Sequence, residues 1–325
     1  MHGPQHGFKR AALTLSGSSE AMGRALAALD CGTNSTRLLI TTQEGEPLAR
    51  EMTITRLGQG VDADGSLREE AIDRVLVALG RYKALMISHD VGHARMACTS
   101  AVRDASNGSD FLQRASNVIG APAELLLGEE EAQLSFAGAT ADLEEQDGPL
   151  LVVDIGGGST ELVLSTTSGL ESVSLQLGCV RLTERCLQSD PPSQSELTAT
   201  QEAISEEFSR IAGSLPSLSV KAPPMVIGLA GTVASVVLLE RAMTVYERDL
   251  VHHQVITVAM IEKWINTLSN ESVAVRRTLP GMEPGQADVL LGGLLVLRRV
   301  LDYVGVSSLL TSEADILDGL IASQQ

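Results

Sequence analysis

One motif occurs twice in this chain, and its duplication is the strongest constraint on the fold. Leu29-Asp-Cys-Gly-Thr-Asn-Ser-Thr-Arg-Leu-Leu-Ile40 and Val153-Asp-Ile-Gly-Gly-Gly-Ser-Thr-Glu-Leu-Val-Leu164 align without a gap, so that Asp30 meets Asp154, Gly32 meets Gly156, Ser35 meets Ser159 and Thr36 meets Thr160. Each copy is an apolar run, an aspartate, a short loop of small and hydroxyl residues, and a second apolar run. That pattern reads as strand, tight turn, strand. Small turn residues let the backbone approach a phosphate closely and leave N–H groups and hydroxyls facing it. Two related half-molecules with phosphate handled between them are therefore expected.

At 325 residues the chain is long enough for two cores. Its four cysteines, Cys31, Cys98, Cys179 and Cys186, form no CxxC pair and no zinc-like spacing, which predicts a reduced, cytoplasmic protein. No apolar stretch reaches the roughly 20 residues that span a bilayer, and Arg298 and Arg299 interrupt the richest one, Leu290–Val300, which reads as a buried helix. Residues 1–23 are rich in Gly, Ser and His without the apolar centre of a signal peptide, and a disordered extension is expected there. A net charge of −17 excludes non-specific binding to nucleic acid. A phosphate-rich substrate then needs local arginines and a divalent cation.

Alternating strand and helix patterns predict an α/β protein with mixed sheets, a first domain over 24–140 and a second over 141–325. In the first, Ser66-Leu-Arg-Glu69 matches a capping box ahead of a helix carrying Ile72, Val75, Leu76 and Leu79 at helical spacing. Strands follow at Arg95–Ser100 and Glu124–Leu127, then a helix from Glu129 to Thr140. In the second, helices are predicted at Ser195–Gly213, Thr257–Leu268, Gln286–Val304 and Ser312–Ala322, and a strand at Met225–Leu229.

If Ile155 and Thr160 bracket the second turn, Asp154 and Glu161 stand opposite one another on one sheet face, about 5 Å apart at Cβ. Such carboxylates repel unless they share a proton or a cation, and Mg²⁺ suits an oxygen donor set beside phosphate. The alternative is that Asp154 caps the turn and Glu161 is solvated. In the first copy the matching residue is Arg37, which neutralises Asp30, so the second hairpin is the one expected to hold metal. Glu129, Glu130 and Glu131 open a helix, where the macrodipole favours them, and one of them could face the cleft. Arg103 ends the loop Thr99-Ser-Ala-Val-Arg103 where a phosphate contact or a surface ion pair would serve equally, and Arg181 presents the same choice. Gly228-Leu-Ala-Gly-Thr232, between strand and helix, is a candidate anion site through Gly231 and Thr232. His252 and His253 begin an extended run in which adjacent side chains point to opposite faces, so the two are not expected to serve together as ligands; both read as structural, with His252 the alternative as a substrate contact. Cys31 beside the first loop is read as a small buried residue rather than a reactive thiol.

Taken in order, Asp30-Cys-Gly-Thr-Asn-Ser35, Thr99-Ser-Ala-Val-Arg103, Gly128-Glu-Glu-Glu-Ala132, Asp154-Ile-Gly-Gly-Gly-Ser-Thr-Glu161, Gly228-Leu-Ala-Gly-Thr232 and Ser312-Glu-Ala-Asp315 resemble the exopolyphosphatase and guanosine pentaphosphate phosphohydrolase family of the actin, Hsp70 and sugar-kinase superfamily. The resemblance runs from about Ala25 to the C-terminus. It implies two ribonuclease-H-like (actin-like ATPase) domains with mixed five-stranded sheets flanked by helices, the active site in the cleft and the C-terminal helix packing back on the first domain. It also implies Mg²⁺-dependent release of a terminal phosphate from polyphosphate or guanosine pentaphosphate, with Mn²⁺ as a substitute and a homodimer as the assembly. Glu131 maps to the catalytic base, Asp154 and Glu161 to the metal- and catalysis-linked carboxylates. Asp30, Gly32, Thr33, Asn34, Ser35, Arg103, Gly156, Gly157, Gly158, Ser159, Thr160, Gly231 and Thr232 map to substrate-binding positions. The chain ends at Gln325, without the all-helical C-terminal domains of longer relatives, so short chains are the expected substrates. A kinase of the same superfamily and a non-catalytic phosphate-binding regulator are the competing readings. No acceptor pocket marks the first, and a pure binder of polyanions gains nothing from three carboxylates.

Overall fold

Both copies of the motif form strands because each places aliphatic residues on either side of a turn too small to continue them. The computed structural model describes residues 24–143, 148–219, 223 and 225–325. The segment 1–23, expected to be disordered, lies outside these. The first copy gives β1 (Ala25–Cys31) and β2 (Ser35–Thr41), followed by β3 (Pro47–Ile54), the one-turn α1 (Val61–Asp64), α2 (Glu69–Ser88), β4 (Val91–Cys98), α3 (Ser100–Asp104), α4 (Gly108–Ile119), β5 (Ala123–Leu125) and α5 (Gly128–Thr140). The second gives β6 (Leu150–Ile155) and β7 (Thr160–Thr166), then β8 (Gly169–Leu175), α6 (Cys179–Cys186), α7 (Gln194–Arg210), β9 (Met225–Leu229), α8 (Ala230–Glu240), α9 (Arg248–Val251), β10 (Val255–Thr257), α10 (Val258–Asn270), α11 (Val273–Arg276), α12 (Leu290–Val304), β11 (Ser308–Thr311) and α13 (Ile316–Ala322).

The first sheet runs β3-β2-β1-β4-β5 and the second β10-β11-β9-β6-β7-β8. In each, an antiparallel meander is extended by parallel strands, with β1 on β4 and β6 on β9. The central β1 is buried along its whole length, as a strand covered on both faces requires. The second sheet has six strands where five were expected. The extra one is the three-residue edge strand β10 against β11, too short for alternation to register in sequence.

Three helix starts also differ from expectation. Ser66 does not cap α2, which begins at Glu69 behind Arg68 with no side-chain cap. Asn107 instead holds that turn through both the N–H and the carbonyl of Leu67. The helix expected from Gln286 begins at Leu290 after a turn, and the one expected from Ser312 begins at Ile316 behind a capping box of Asp315 and Asp318.

Two helices cross between the halves. Although α5 leaves the first half, Ala132 and Ala139 pack with Leu150, Val152, Val163 and Ile227 of the second sheet. Conversely, α13 closes the chain with Ile316, Leu317, Leu320 and Ile321 against Leu26, Ala28 and Leu39 of the first sheet. They meet at glycines: a Cβ on Gly138 would lie 1.9 Å from Asp315 O, and one on Gly319 would lie 2.0 Å from Leu134 O. This backbone-to-backbone contact fixes the middle and last turns of α5, the helix that carries Glu131 in its first turn, against α13. Among the described residues no helix is long and apolar enough to cross a membrane.

Candidate active site

The two turns have the same internal geometry. Gly32 N–H donates to Ser35 O at 3.0 Å and Gly156 N–H to Ser159 O at 3.0 Å. They meet tip to tip, since a Cβ on Gly157 would stand 2.9 Å from Thr33 Cβ and 3.1 Å from Asn34 N. Behind the second turn, the first N–H groups of α6 are tied to it: those of Val180 and Arg181 donate to Gly157 O at 2.9 and 3.0 Å. Thr33 Oγ1 and Ser100 Oγ join the first turn to α3 at 2.9 Å.

A cavity of about 100 Å³ opens between the turns. Its walls include Asp30, Gly32, Thr33, Asn34 and Ser35 from the first copy, and Asp154, Gly156, Gly157, Ser159 and Glu161 from the second. Glu131 enters from α5, and Gly231 and Thr232 from the N-terminus of α8. Three of the expected substrate positions do not line it. Thr160 is fully buried and donates its hydroxyl to Leu177 O at 2.6 Å. Gly158 faces a small space behind the loops, and Arg103 stands behind Glu131.

The carboxylates are arranged by register. Asp154 pairs directly with Glu161 across β6 and β7, as Asp30 pairs with Arg37 across β1 and β2. Arg37 donates to Asp30 Oδ2 at 2.7 and 3.0 Å and also holds Asp315 at the cap of α13. Burial raises the Asp30 pKa despite that partner; in Asp315, Arg37 and Arg50 outweigh burial and hold its pKa below the ordinary range. The second pair has no such cation. Ser135 Oγ donates to Asp154 Oδ2 at 2.9 Å, and Ser174 Oγ to Glu161 Oε1 at 2.8 Å. Burial, offset in part by Arg37, pushes Asp154 up to about 6. Burial and the charge of Asp154 push Glu161 up to about 7. Glu131 is raised well above the ordinary range by burial and by Glu161 and Asp154, against Arg103, whose Nη1 lies 3.4 Å from Glu131 Oε2.

Four buried atoms on the cavity wall have no hydrogen-bond partner among the described residues: Asp30 Oδ1, Asn34 Oδ1, Thr232 Oγ1 and Gln286 Oε1. Each such atom costs about 1–3 kcal/mol unless something arrives to satisfy it. A donor set of carboxylates, an amide, a hydroxyl and uncapped helix N–H groups fits a hydrated Mg²⁺ with phosphate, because Mg²⁺ takes oxygen ligands and keeps its waters. Ala230, at φ 68°, holds a left-handed conformation that is strained for a non-glycine residue. It turns the end of β9 so that α8 points its N-terminus into the cavity.

Other sequence candidates have different roles. Arg181 is taken by ion pairs to Asp62 at 3.0 Å and to Asp104. Cys31 is fully buried, and the neighbouring Cys98 thiol together with burial raises its pKa well above the ordinary thiol range, which disfavours the thiolate. His252 and His253 do not lie on a strand facing opposite ways. His253 has φ 57°, and the two rings stack with centroids 3.7 Å apart, away from the cavity wall. Residues missed in sequence are Ser135, Ser174 and Gln286; the first and last lie in segments read as helices, but nothing local marks any of the three as facing the site, whereas Ser100, inside the Thr99–Arg103 loop, was within reach.

Known proteins resemble this chain over most of its length. Residues 39–325 match the model of the Ppx/GppA phosphatase family. The chain is 40% identical to "Exopolyphosphatase 2" of Mycobacterium tuberculosis over 315 residues, 92% of this chain and 98% of that protein. A solved "exopolyphosphatase-like protein" superposes with a TM-score of 0.86 at 31% identity, covering 93% of this chain and 97% of the other. The Ppx/GppA family member of Aquifex aeolicus gives 0.73 at 28% identity, over 93% and 97%.

Proposed function

We infer the function from one premise: the chain belongs to the Ppx/GppA phosphatase family. It is an exopolyphosphatase, which hydrolyses the terminal phosphoanhydride of inorganic polyphosphate. The observation that carries this reading is the set of buried carboxylates Glu131, Asp154 and Glu161 opposite unsatisfied donors and acceptors in one cavity between two phosphate-type turns.

The chain end lies on the two turns, whose N–H groups and the α8 N-terminus take the terminal phosphoryl oxygens. Asp154 and Glu161 would hold Mg²⁺, or Mn²⁺ in its place, which when bound would supply positive charge to neutralise the phosphoryl oxygens. Glu131 orients a water and takes its proton as the water oxygen bonds to the terminal phosphorus. The bond from that phosphorus to the bridging oxygen breaks, and the shortened chain leaves with the electron pair. Burial and the charges of Glu161 and Asp154, which raise the Glu131 pKa well above the ordinary carboxylate range, make its carboxylate a stronger base for this step. Arg103 behind Glu131 favours that form.

Phosphate release from short polyphosphate, long polyphosphate and guanosine pentaphosphate, with and without Mg²⁺, tests the assignment. Mg²⁺-dependent release, faster from short chains than from long ones, is expected. Release from guanosine pentaphosphate alone would replace polyphosphate as the substrate, and faster initial cleavage of long polymers would remove the short-chain preference.

A further inference from the structure

Outside the cleft, three potential ligand atoms of Asp142, His252 and His253 lie within 4.8 Å of one another. Asp142 follows α5 as the chain leaves the helix that carries Glu131, and the two histidines lie between α9 and β10 at the edge of the second sheet. We propose that Asp142 and His253 form a binding site for a borderline-soft divalent cation such as Zn²⁺, with His252 as the residue that orients the carboxylate.

The roles follow from the hydrogen bonds. His252 Nδ1 accepts the backbone N–H of Glu313 at 3.0 Å, which places the ring proton on Nε2. Nε2 therefore donates to Asp142 Oδ2, at 2.7 Å, and is not free to ligate. This fixes the carboxylate with its other oxygen, Oδ1, 3.8 Å from His253 Nε2. His253 Nε2 is buried and has no hydrogen-bond partner among the described residues. That distance is too long for a hydrogen bond and within the roughly 4 Å that two donors on one ion with bonds of about 2.0–2.1 Å can span, so a small inward turn of the exposed carboxylate would bring both to tetrahedral spacing. The backbone is committed to the arrangement: His253 takes φ 57°, unusual for a non-glycine residue, while its N–H bonds to Thr311 O at 2.8 Å. Stacking on His252 then sets the ring plane.

An imidazole nitrogen with one carboxylate oxygen favours Zn²⁺, Ni²⁺ or Cu²⁺ over Mg²⁺, so this site differs in chemistry from the all-oxygen cleft. The Asp142 side chain is 43% exposed, which leaves room for water to complete the coordination. Occupancy ties the segment leaving α5 to the edge of the second sheet.

The test is a Zn²⁺ titration of the full chain in excess Mg²⁺, followed by calorimetry and by the side-chain nitrogen resonances of the histidines. His253 Nε2 is expected to shift on binding one equivalent, while His252 keeps its Nε2–H signal. His253→Asn, which tolerates the left-handed backbone, and Asp142→Asn should each weaken that binding by about tenfold or more without changing the fold. Unmoved His253 resonances in a large excess of Zn²⁺, or equal affinity in both variants, would overturn the proposal.

Discussion

Asp154 and Glu161 occupy the least favourable positions that two carboxylates can share, directly opposite and buried, and no arginine stands between them as one does at Asp30. Their raised pKa values, about 6 and about 7, mean that the folded protein binds protons there that the unfolded chain releases. Their contribution to stability is thus present in acid, below the ordinary carboxylate range, and is lost as pH rises through about 6 to 7. In metal-free protein, Glu161→Gln should therefore raise stability at pH 8 by on the order of 1–3 kcal/mol and flatten its decline between the ordinary carboxylate range and about pH 7, while abolishing Mg²⁺-dependent turnover. Thermal melts of both proteins across pH check the first half, and an unchanged slope would contradict it. Mg²⁺ affinity should rise with pH over the same window, with proton release on binding. Calorimetry in buffers of different ionisation enthalpy measures that release. The pairing of Asp154 with Glu161 and of Asp30 with Arg37 was legible in sequence, because a gap-free hairpin alignment dictates register. The serines that support the carboxylates were not, since Ser135 and Ser174 become neighbours of the site only when α5 and β8 pack.

The elements that were legible are those whose pattern is local. Both hairpins, α5 and β9 follow from composition and periodicity within the segment. Helix starts were misplaced where a distant residue decides them, as Asn107 does at Leu67 in place of a Ser66 capping box. The exchange of α5 and α13 between sheets depends on glycines that carry no periodic signal. At Gly138 even a methyl group would collide with the backbone of Asp315. Gly138→Ala should lower stability by on the order of 1–3 kcal/mol and, by moving α5 and Glu131, reduce kcat more than it raises KM. Denaturant unfolding and steady-state kinetics check this, and an unaltered kcat would dissociate helix position from turnover.

At the scale of the molecule, ion pairs across the cleft hold the halves together. Arg56 joins Asp288 at 2.6 Å, Arg181 joins Asp62 and Asp104, and Glu184 accepts Gly60 N–H at 3.0 Å. Arg181→Gln leaves two acidic residues without their partner and should weaken closure by on the order of 1–2 kcal/mol, seen as a raised KM. The wild-type KM should move toward the variant's as ionic strength increases. The central claim concerns Glu131, the carboxylate that α5 and α13 together hold in the cavity. The measurement that tests it is polyphosphate binding and single-turnover phosphate release by Glu131→Gln in saturating Mg²⁺. Binding within a few-fold of wild type with release slowed by at least about 10²-fold is predicted. Release at a near-wild-type rate would contradict the account.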